Sequence, residues 1–158
     1  GLAWSRDKTN VLVTRTFSKA YGLAALRVGW AYGPTAVIAA LDRIRLPFSV
    51  PRAGEAAAVA ALADEAFVQK SVAAFETGRR DLDAALVSLG ARTLPSATNF
   101  VTARFDSADA IDAALAERGI LVRNLKTYGM PDWLRISVGQ PDEMRRVIAA
   151  LREIVGRR

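Results

Sequence analysis

The run TRTFSKAYGLAALRVGW, from Thr14 to Trp30, sets one amine among hydroxyls and a guanidinium. Lys19 follows Thr16 and Ser18, and Arg27 comes eight positions after the lysine. An amine withdrawn from water loses its proton more readily, and the neutral form adds to an aldehyde to give a Schiff base. Arginine offers a permanent planar fork of donors that suits a phosphate. Thr16 and Ser18 add hydroxyl donors, while Gly22 and Gly29 let backbone approach a ligand closely. Amine plus phosphate-binding groups is the set that takes a phosphorylated aldehyde, namely pyridoxal 5'-phosphate. The same residues also fit an exposed turn in which Arg27 makes an ordinary surface pair.

A third candidate stands far along the chain. Arg135 lies within WLRISVG between Leu134 and Ile136. Period-two alternation puts it on the strand face opposite those apolar neighbours. A cation there meets an anion, and its fork suits a carboxylate bidentately. An edge-strand arginine in a surface salt bridge is the plainer alternative.

Composition narrows the chemistry further. The chain has 158 residues, 51% of them hydrophobic, enough for one domain or parts of two with a real core. It contains no cysteine and no histidine. Disulfides, thiol nucleophiles, Ser-His and Cys-His catalysis, and metal sites built on those residues are therefore excluded, and no metal is expected. Acid–base work falls to Lys, Tyr, Asp or Glu. The net charge of +6 favours anionic small molecules. The cations are scattered, with short pairs at Arg79-Arg80, Arg145-Arg146 and Arg157-Arg158, and read as solvated surface rather than a nucleic-acid stripe. No run reaches the roughly 18 apolar residues of a membrane helix. GLAWSRDKTN lacks the apolar core of a secretory leader. A soluble, cytoplasmic protein with no nucleic-acid or membrane partner is expected.

The elements that must position these side chains follow from pattern. NVLVTRTF (Asn10 to Phe17) and LRVGWAYG (Leu26 to Gly33) read as buried strands. The segment between them is too short for a crossover helix, so the two run antiparallel. PTAVIAALDRIRL starts a helix at Pro34, and the two prolines of PFSVP break the chain. A long Ala-rich helical stretch follows to Gly90, with a break expected near Asp64-Glu65. Beyond it come a strand at Asn99 to Phe105 and a helix capped by Ser107 and stopped by Gly119. A short strand ILVRN, the loop LKTYGMPD and the strand WLRISVG follow, and a helix beginning near Pro141 closes the chain. The texture predicts the tail of one α/β domain over residues 1–75, including a linking helix, then a small α+β domain over residues 76–158. Tyr21 is expected to pack, and Trp30 and Trp133 to lie in a core or domain interface.

TFSKAYGLAALRVGW closely resembles the cofactor-lysine segment of the fold-type I pyridoxal phosphate-dependent aminotransferases of class I/II. T-x-S-K followed by arginine eight residues past the lysine is typical of that family. Within it, RLPFSVPRAGEAAAVAAL, PSATNFVTARF, GILVRN and WLRISVGQPDEM resemble the segment order of histidinol-phosphate aminotransferases. The resemblance implies the end of the large cofactor domain, an antiparallel strand pair with helices, then the small C-terminal domain. It implies that Lys19 condenses with the cofactor and shuttles the proton between substrate Cα and cofactor C4′. Thr16, Ser18 and Arg27 would hold the cofactor phosphate. Arg135 would take the substrate α-carboxylate, Arg123 would help take the phosphate of histidinol phosphate, and Asn99 would lie on the substrate side. The implied reaction exchanges the amino group between histidinol phosphate and 2-oxoglutarate, a step of histidine biosynthesis, in a homodimer.

Family members are more than twice this long, and their upstream region carries the aspartate at the pyridine nitrogen and the groups around the cofactor ring. The chain is thus expected to be an incomplete portion, inactive alone. Within the same fold an aromatic amino-acid aminotransferase or a threonine-phosphate decarboxylase-like enzyme uses nearly the same lysine and arginine pattern. A non-catalytic basic module binding nucleic acid or protein is the rival of a different class, and it predicts steep salt dependence.

Overall fold

A computed structural model describes residues 1–156, so the Arg157-Arg158 pair lies outside the described residues. The chain divides into two compact units, Gly1–Ser71 and Val72–Arg158. Its architecture is α/β, with helices set around antiparallel sheets.

The first unit opens with a short helix α1 (Leu2–Asp7), followed by strands β1 (Val13–Thr16) and β2 (Gly29–Tyr32). They pair antiparallel, with Val13 opposite Tyr32 and Thr16 opposite Gly29, as the short connection demanded. Ser5 is buried and donates to the carbonyls of Val11 (3.1 Å) and Tyr32 (3.2 Å), tying α1 to the outer end of the pair. Helix α2 (Thr35–Ile44) begins directly after Pro34. Helix α3 (Arg52–Ala63) follows the PFSVP break. Asp64 then interrupts the helical run, and its carboxylate accepts the Phe67 N–H at 2.9 Å, capping α4 (Glu65–Ser88). The break expected near Asp64-Glu65 is therefore real, and the division between the units falls inside α4.

The buried character expected of the first two strands is corrected. β1 buries only Val13, and every residue of β2 is exposed, Trp30 included. β-branched and aromatic composition reports that a segment suits a sheet, but burial requires layers on both faces. A two-stranded sheet lacks them. The strands are also shorter than the apolar runs that signalled them, because the flanks enter turns.

The second unit holds a four-stranded antiparallel sheet ordered β3-β4-β6-β5, from β3 (Arg92–Thr93), β4 (Phe100–Arg104), β5 (Arg123–Asn124) and β6 (Trp133–Ser137). Helices α5 (Ala108–Ala116) and α6 (Pro141–Gly156) complete it. Alternation along β4 and β6 buries Val101, Ala103, Leu134 and Ile136 on one face. There they join Leu82 and Leu86 of α4, Ile111 and Leu115 of α5, and Met144 and Leu151 of α6 in one core. Gly90 (φ +80°) and Gly119 (φ +70°) turn the chain after α4 and α5 in the left-handed conformation that glycine adopts freely. Ser107 occupies the N-cap position of α5 but makes no side-chain cap bond. Strand β3 and helix α1 carried too few periodic residues to be read from sequence.

One packing contact is tight enough to test. A Cβ added at Gly78 of α4 would stand 2.5 Å from Val138 Cγ1. Alanine favours a helix over glycine by about 1 kcal/mol, whereas overpacking a core costs about 1–3 kcal/mol. Gly78→Ala is expected to lower the unfolding midpoint in urea. An unchanged or raised midpoint would show that the contact yields without cost.

Candidate active site

The connection between β1 and β2 is a closed loop with an apolar underside. Its base is made by Phe17 N–H donating to the Val28 carbonyl (3.0 Å) and Leu23 N–H donating to the Phe17 carbonyl (2.9 Å). Phe17, Val28 and Ala58 are buried together, with Tyr21, Leu23 and Leu26 packed against them. The Tyr21 ring lies 4.7 Å from that of Phe17, so Tyr21 packs, as expected. With the apolar residues committed below, Ser18 is left half-buried and Lys19 exposed, which corrects the expectation of an amine withdrawn from water. Gly22 N–H donates to the Lys19 carbonyl at 2.8 Å and turns the chain at φ +71° three residues after the lysine.

The polar groups of the loop converge. Ser18 N–H donates to Thr16 Oγ1 at 3.0 Å. Arg27 Nη1 donates to Ser18 Oγ at 3.3 Å and to the Ala24 carbonyl at 2.8 Å. Arg27 holds a left-handed backbone (φ +54°, ψ +43°) at the end of a 3-10 turn over Ala24–Leu26. Side chains other than glycine adopt that region rarely, and such outliers gather at functional sites. Gly29 fixes the other wall, since a Cβ there would lie 2.7 Å from the Arg15 carbonyl oxygen. Thr16, Ser18 and Arg27 are therefore linked by hydrogen bonds within the loop that also carries the exposed Lys19. Among the described residues no carboxylate lies within 4 Å of the Lys19 or Arg27 cationic groups. A fork donor, two hydroxyls and an unneutralised positive field suit a phosphate monoester, with an amine alongside for its aldehyde.

In the second unit, Arg123 of β5 stands directly opposite Arg135 of β6, which in turn stands opposite Thr102 of β4. Directly opposed residues share a face, so two guanidinium groups sit on the side away from the apolar core. Arg135 is half-buried, with its Cζ 4.8 Å above the Phe100 ring. Its Nε is a buried donor without a partner. A buried donor left open is rare in native structures, and a water, an ion or a ligand group can accept from it. Arg123, on the edge strand, rests over the Tyr128 ring at 5.7 Å and donates weakly to Tyr128 Oη at 3.5 Å. Neither arginine has a carboxylate within 4 Å among the described residues. Asn99 extends the β4–β6 pairing, its carbonyl accepting the Val138 N–H at 2.8 Å.

Sequence reasoning missed the groups behind Arg123. Asp109, in the first turn of α5, accepts from Asn124 Nδ2 and Lys126 Nζ, each at 2.9 Å, and Asn124 Oδ1 accepts the Lys126 N–H at 2.9 Å. The hydrogen bond from Lys126, then that from Asn124, then the Lys126 charge hold the Asp109 carboxyl below its ordinary value. Asn124 was the available signal, because asparagine side chains accept from a backbone N–H two residues on. Among the described residues no cluster of three or more acidic, His or Cys groups is placed to hold a metal. No described helix is long and apolar enough to cross a membrane.

The family model Aminotransferase class I and II matches residues 2–151. The histidinol-phosphate aminotransferase of Sphingopyxis alaskensis is 49% identical over 158 residues, covering 96% of this chain and 43% of the relative. Histidinol-phosphate aminotransferase 2 of Ralstonia nicotianae is 47% identical over 154 residues, covering 95% of this chain and 41% of the relative. The chain thus spans about two fifths of the length of these curated relatives. The crystal structure of histidinol-phosphate aminotransferase from Sinorhizobium meliloti in complex with pyridoxal-5'-phosphate superposes with a TM-score of 0.84 at 35% identity, covering 96% of this chain and 42% of that one.

Two outcomes follow from the geometry. A β-carbon in the left-handed region costs about 1 kcal/mol or more, so Arg27→Gly is expected to unfold at a higher temperature than Arg27→Ala, although both delete the guanidinium. Equal melting temperatures would mean the backbone at position 27 is not held there. Asp109, with its folded value depressed, keeps its ties at neutral pH and releases them as the pH falls through that lowered value. Carboxyl-carbon NMR of the chain should give Asp109 a midpoint below ordinary aspartates, moving up in Lys126→Met. A midpoint in the ordinary range for both proteins would contradict the ion pair.

Proposed function

This chain belongs to the aminotransferase class I and II family, and from that premise we propose that it carries part of the active site of a pyridoxal phosphate-dependent aminotransferase acting on histidinol phosphate. The first unit is proposed as the end of the large cofactor-binding domain with its linking helix, and the second as the small α+β C-terminal domain. The intact enzyme is proposed to be a cytoplasmic homodimer. The reaction transfers the amino group of histidinol phosphate to 2-oxoglutarate, giving imidazole-acetol phosphate and glutamate, and runs reversibly.

The observation that carries this reading is the opposition of Arg123 and Arg135 across β5 and β6. Like charges on directly opposed residues destabilise a sheet, and an anion shared between them removes that cost. Both reaction partners bring two negative charges to such a pair: the phosphate dianion of histidinol phosphate, and the two carboxylates of glutamate or 2-oxoglutarate. Arg135 takes the α-carboxylate of the amino-acid partner, and Arg123 helps take the phosphate. Asn99 is proposed as a further substrate contact.

Thr16, Ser18 and Arg27 are proposed to bind the cofactor phosphate, and Lys19 to bind its aldehyde carbon. Bound pyridoxal phosphate supplies an electron sink for the pair released at substrate Cα. With substrate in the site, the Lys19 amine would serve as the base. It would accept the proton from substrate Cα and return it to the cofactor side. The two hydroxyls and the guanidinium fix the phosphate, which limits ring motion during that transfer.

The test uses the full-length enzyme that contains this segment. Borohydride reduction of the holoenzyme is expected to place the label on Lys19, and Lys19→Ala to lower turnover of histidinol phosphate with 2-oxoglutarate by about a thousandfold or more. Arg123→Ala is expected to raise KM for histidinol phosphate by about tenfold or more. Label scattered over other lysines, or turnover surviving Lys19→Ala, would sink the reading.

A further inference from the structure

We propose that Asp109 is a positioning residue for phosphate recognition: it pins the segment from Arg123 to Gly129 so that Arg123 stays opposed to Arg135. The inference rests on the reading of Arg123 as a phosphate-binding group. β5 is two residues long and lies at the sheet edge, paired on one side only, with β6. So short a ladder is a weak hold for a charged side chain that must stand at a fixed place beside another cation. The chain leaves β5 into a 3-10 turn over Lys126–Tyr128, ending on Gly129 at φ +75°.

Asp109 supplies the missing constraint from a different element. One carboxylate oxygen accepts from Asn124, the residue after Arg123, and the other accepts from Lys126, the first residue of the turn. Asn124 closes the set by accepting the Lys126 N–H. Strand alternation turns Asn124 away from the face that carries Arg123. Asp109 therefore holds the backbone that presents the guanidinium without meeting the anion itself. Leu125, buried between these polar groups, donates its N–H to the Trp133 carbonyl at 3.0 Å and anchors the turn to β6. The far end of the turn carries Tyr128, whose ring and hydroxyl meet Arg123. The segment is thus pinned at its start and supports the arginine at its end. Removing Asp109 frees the turn and leaves Lys126 without its carboxylate partner.

The decisive measurement is a double-mutant cycle in the full-length enzyme. Asp109→Ala and Lys126→Met are each expected to raise KM for histidinol phosphate about fivefold, with kcat changed less than twofold. Asp109→Asn, which keeps an acceptor for Lys126, is expected to recover part of that affinity. In an Arg123→Ala background, Asp109→Ala should add nothing to KM, because the group it positions is gone. An Asp109 effect of the same size in both backgrounds, or none in the wild-type background, overturns the positioning role while leaving the aminotransferase reading intact. If Arg123→Ala itself leaves KM for histidinol phosphate at its wild-type value, the assignment of Arg123 fails, and the role of Asp109 fails with it.

Discussion

The loop mouth depends on the close approach of two backbones. Gly29 lies so near the Arg15 carbonyl that a methyl group there would be 2.7 Å from the oxygen. Only with that contact does β2 return alongside β1 in the register that sets Thr16 opposite Gly29. The intervening residues must then reverse direction within a short span. They do so by burying Phe17 and Val28 under the loop and by taking Arg27 through the left-handed region. The strain at Arg27 and the placement of its guanidinium against Ser18 are one event. A relaxed backbone at that residue would point the side chain elsewhere.

The second unit fixes its arginines by different means. Arg135 sits mid-strand, paired on both sides by β4 and β5, and its neighbours Leu134 and Ile136 are buried in the core. It cannot shift without slipping the register and exposing those side chains. Arg123 has no such guarantee, because its strand is short and peripheral. Its position is carried by side-chain bonds from α5 and by the Tyr128 ring. Arg135 is thus held by its strand and Arg123 by its side-chain neighbours, two different constraints that keep the pair opposed.

Much of this was legible in the sequence, for identifiable reasons. The antiparallel relation of β1 and β2 followed from the length of their connection. The break near Asp64-Glu65 followed from helix length, and the placement of Arg135 on the face opposite the core followed from alternation between Leu134 and Ile136. Burial of the first two strands was misread, since β-branched composition cannot report whether a sheet has layers above and below it. The left-handed backbone of Arg27 was invisible because nothing local favours it; it is imposed by the return of β2. The Asp109 network joins residues that are local to two separate elements, and no periodicity connects them.

Charge pairing divides the described cations into paired and unpaired ones, and Arg15, Arg79 and Arg80 are unpaired too, donating to backbone carbonyls. Arg45, Arg104, Arg118, Lys126 and Arg145 each have a carboxylate partner, and these pairs are solvent-exposed to different degrees. Such surface pairs contribute about 1 kcal/mol or less, so their absence elsewhere says little about stability and more about availability. Arg27, Arg123 and Arg135 are instead held by neutral groups: a serine hydroxyl and a carbonyl, a tyrosine, and a phenylalanine ring. Neutral supports orient a guanidinium without discharging it. On the proposed reading, an arriving phosphate or carboxylate would meet donors already in place, with the reorganisation of free side chains met during folding. Orientation without neutralisation is the property a binding arginine needs and a structural one does not.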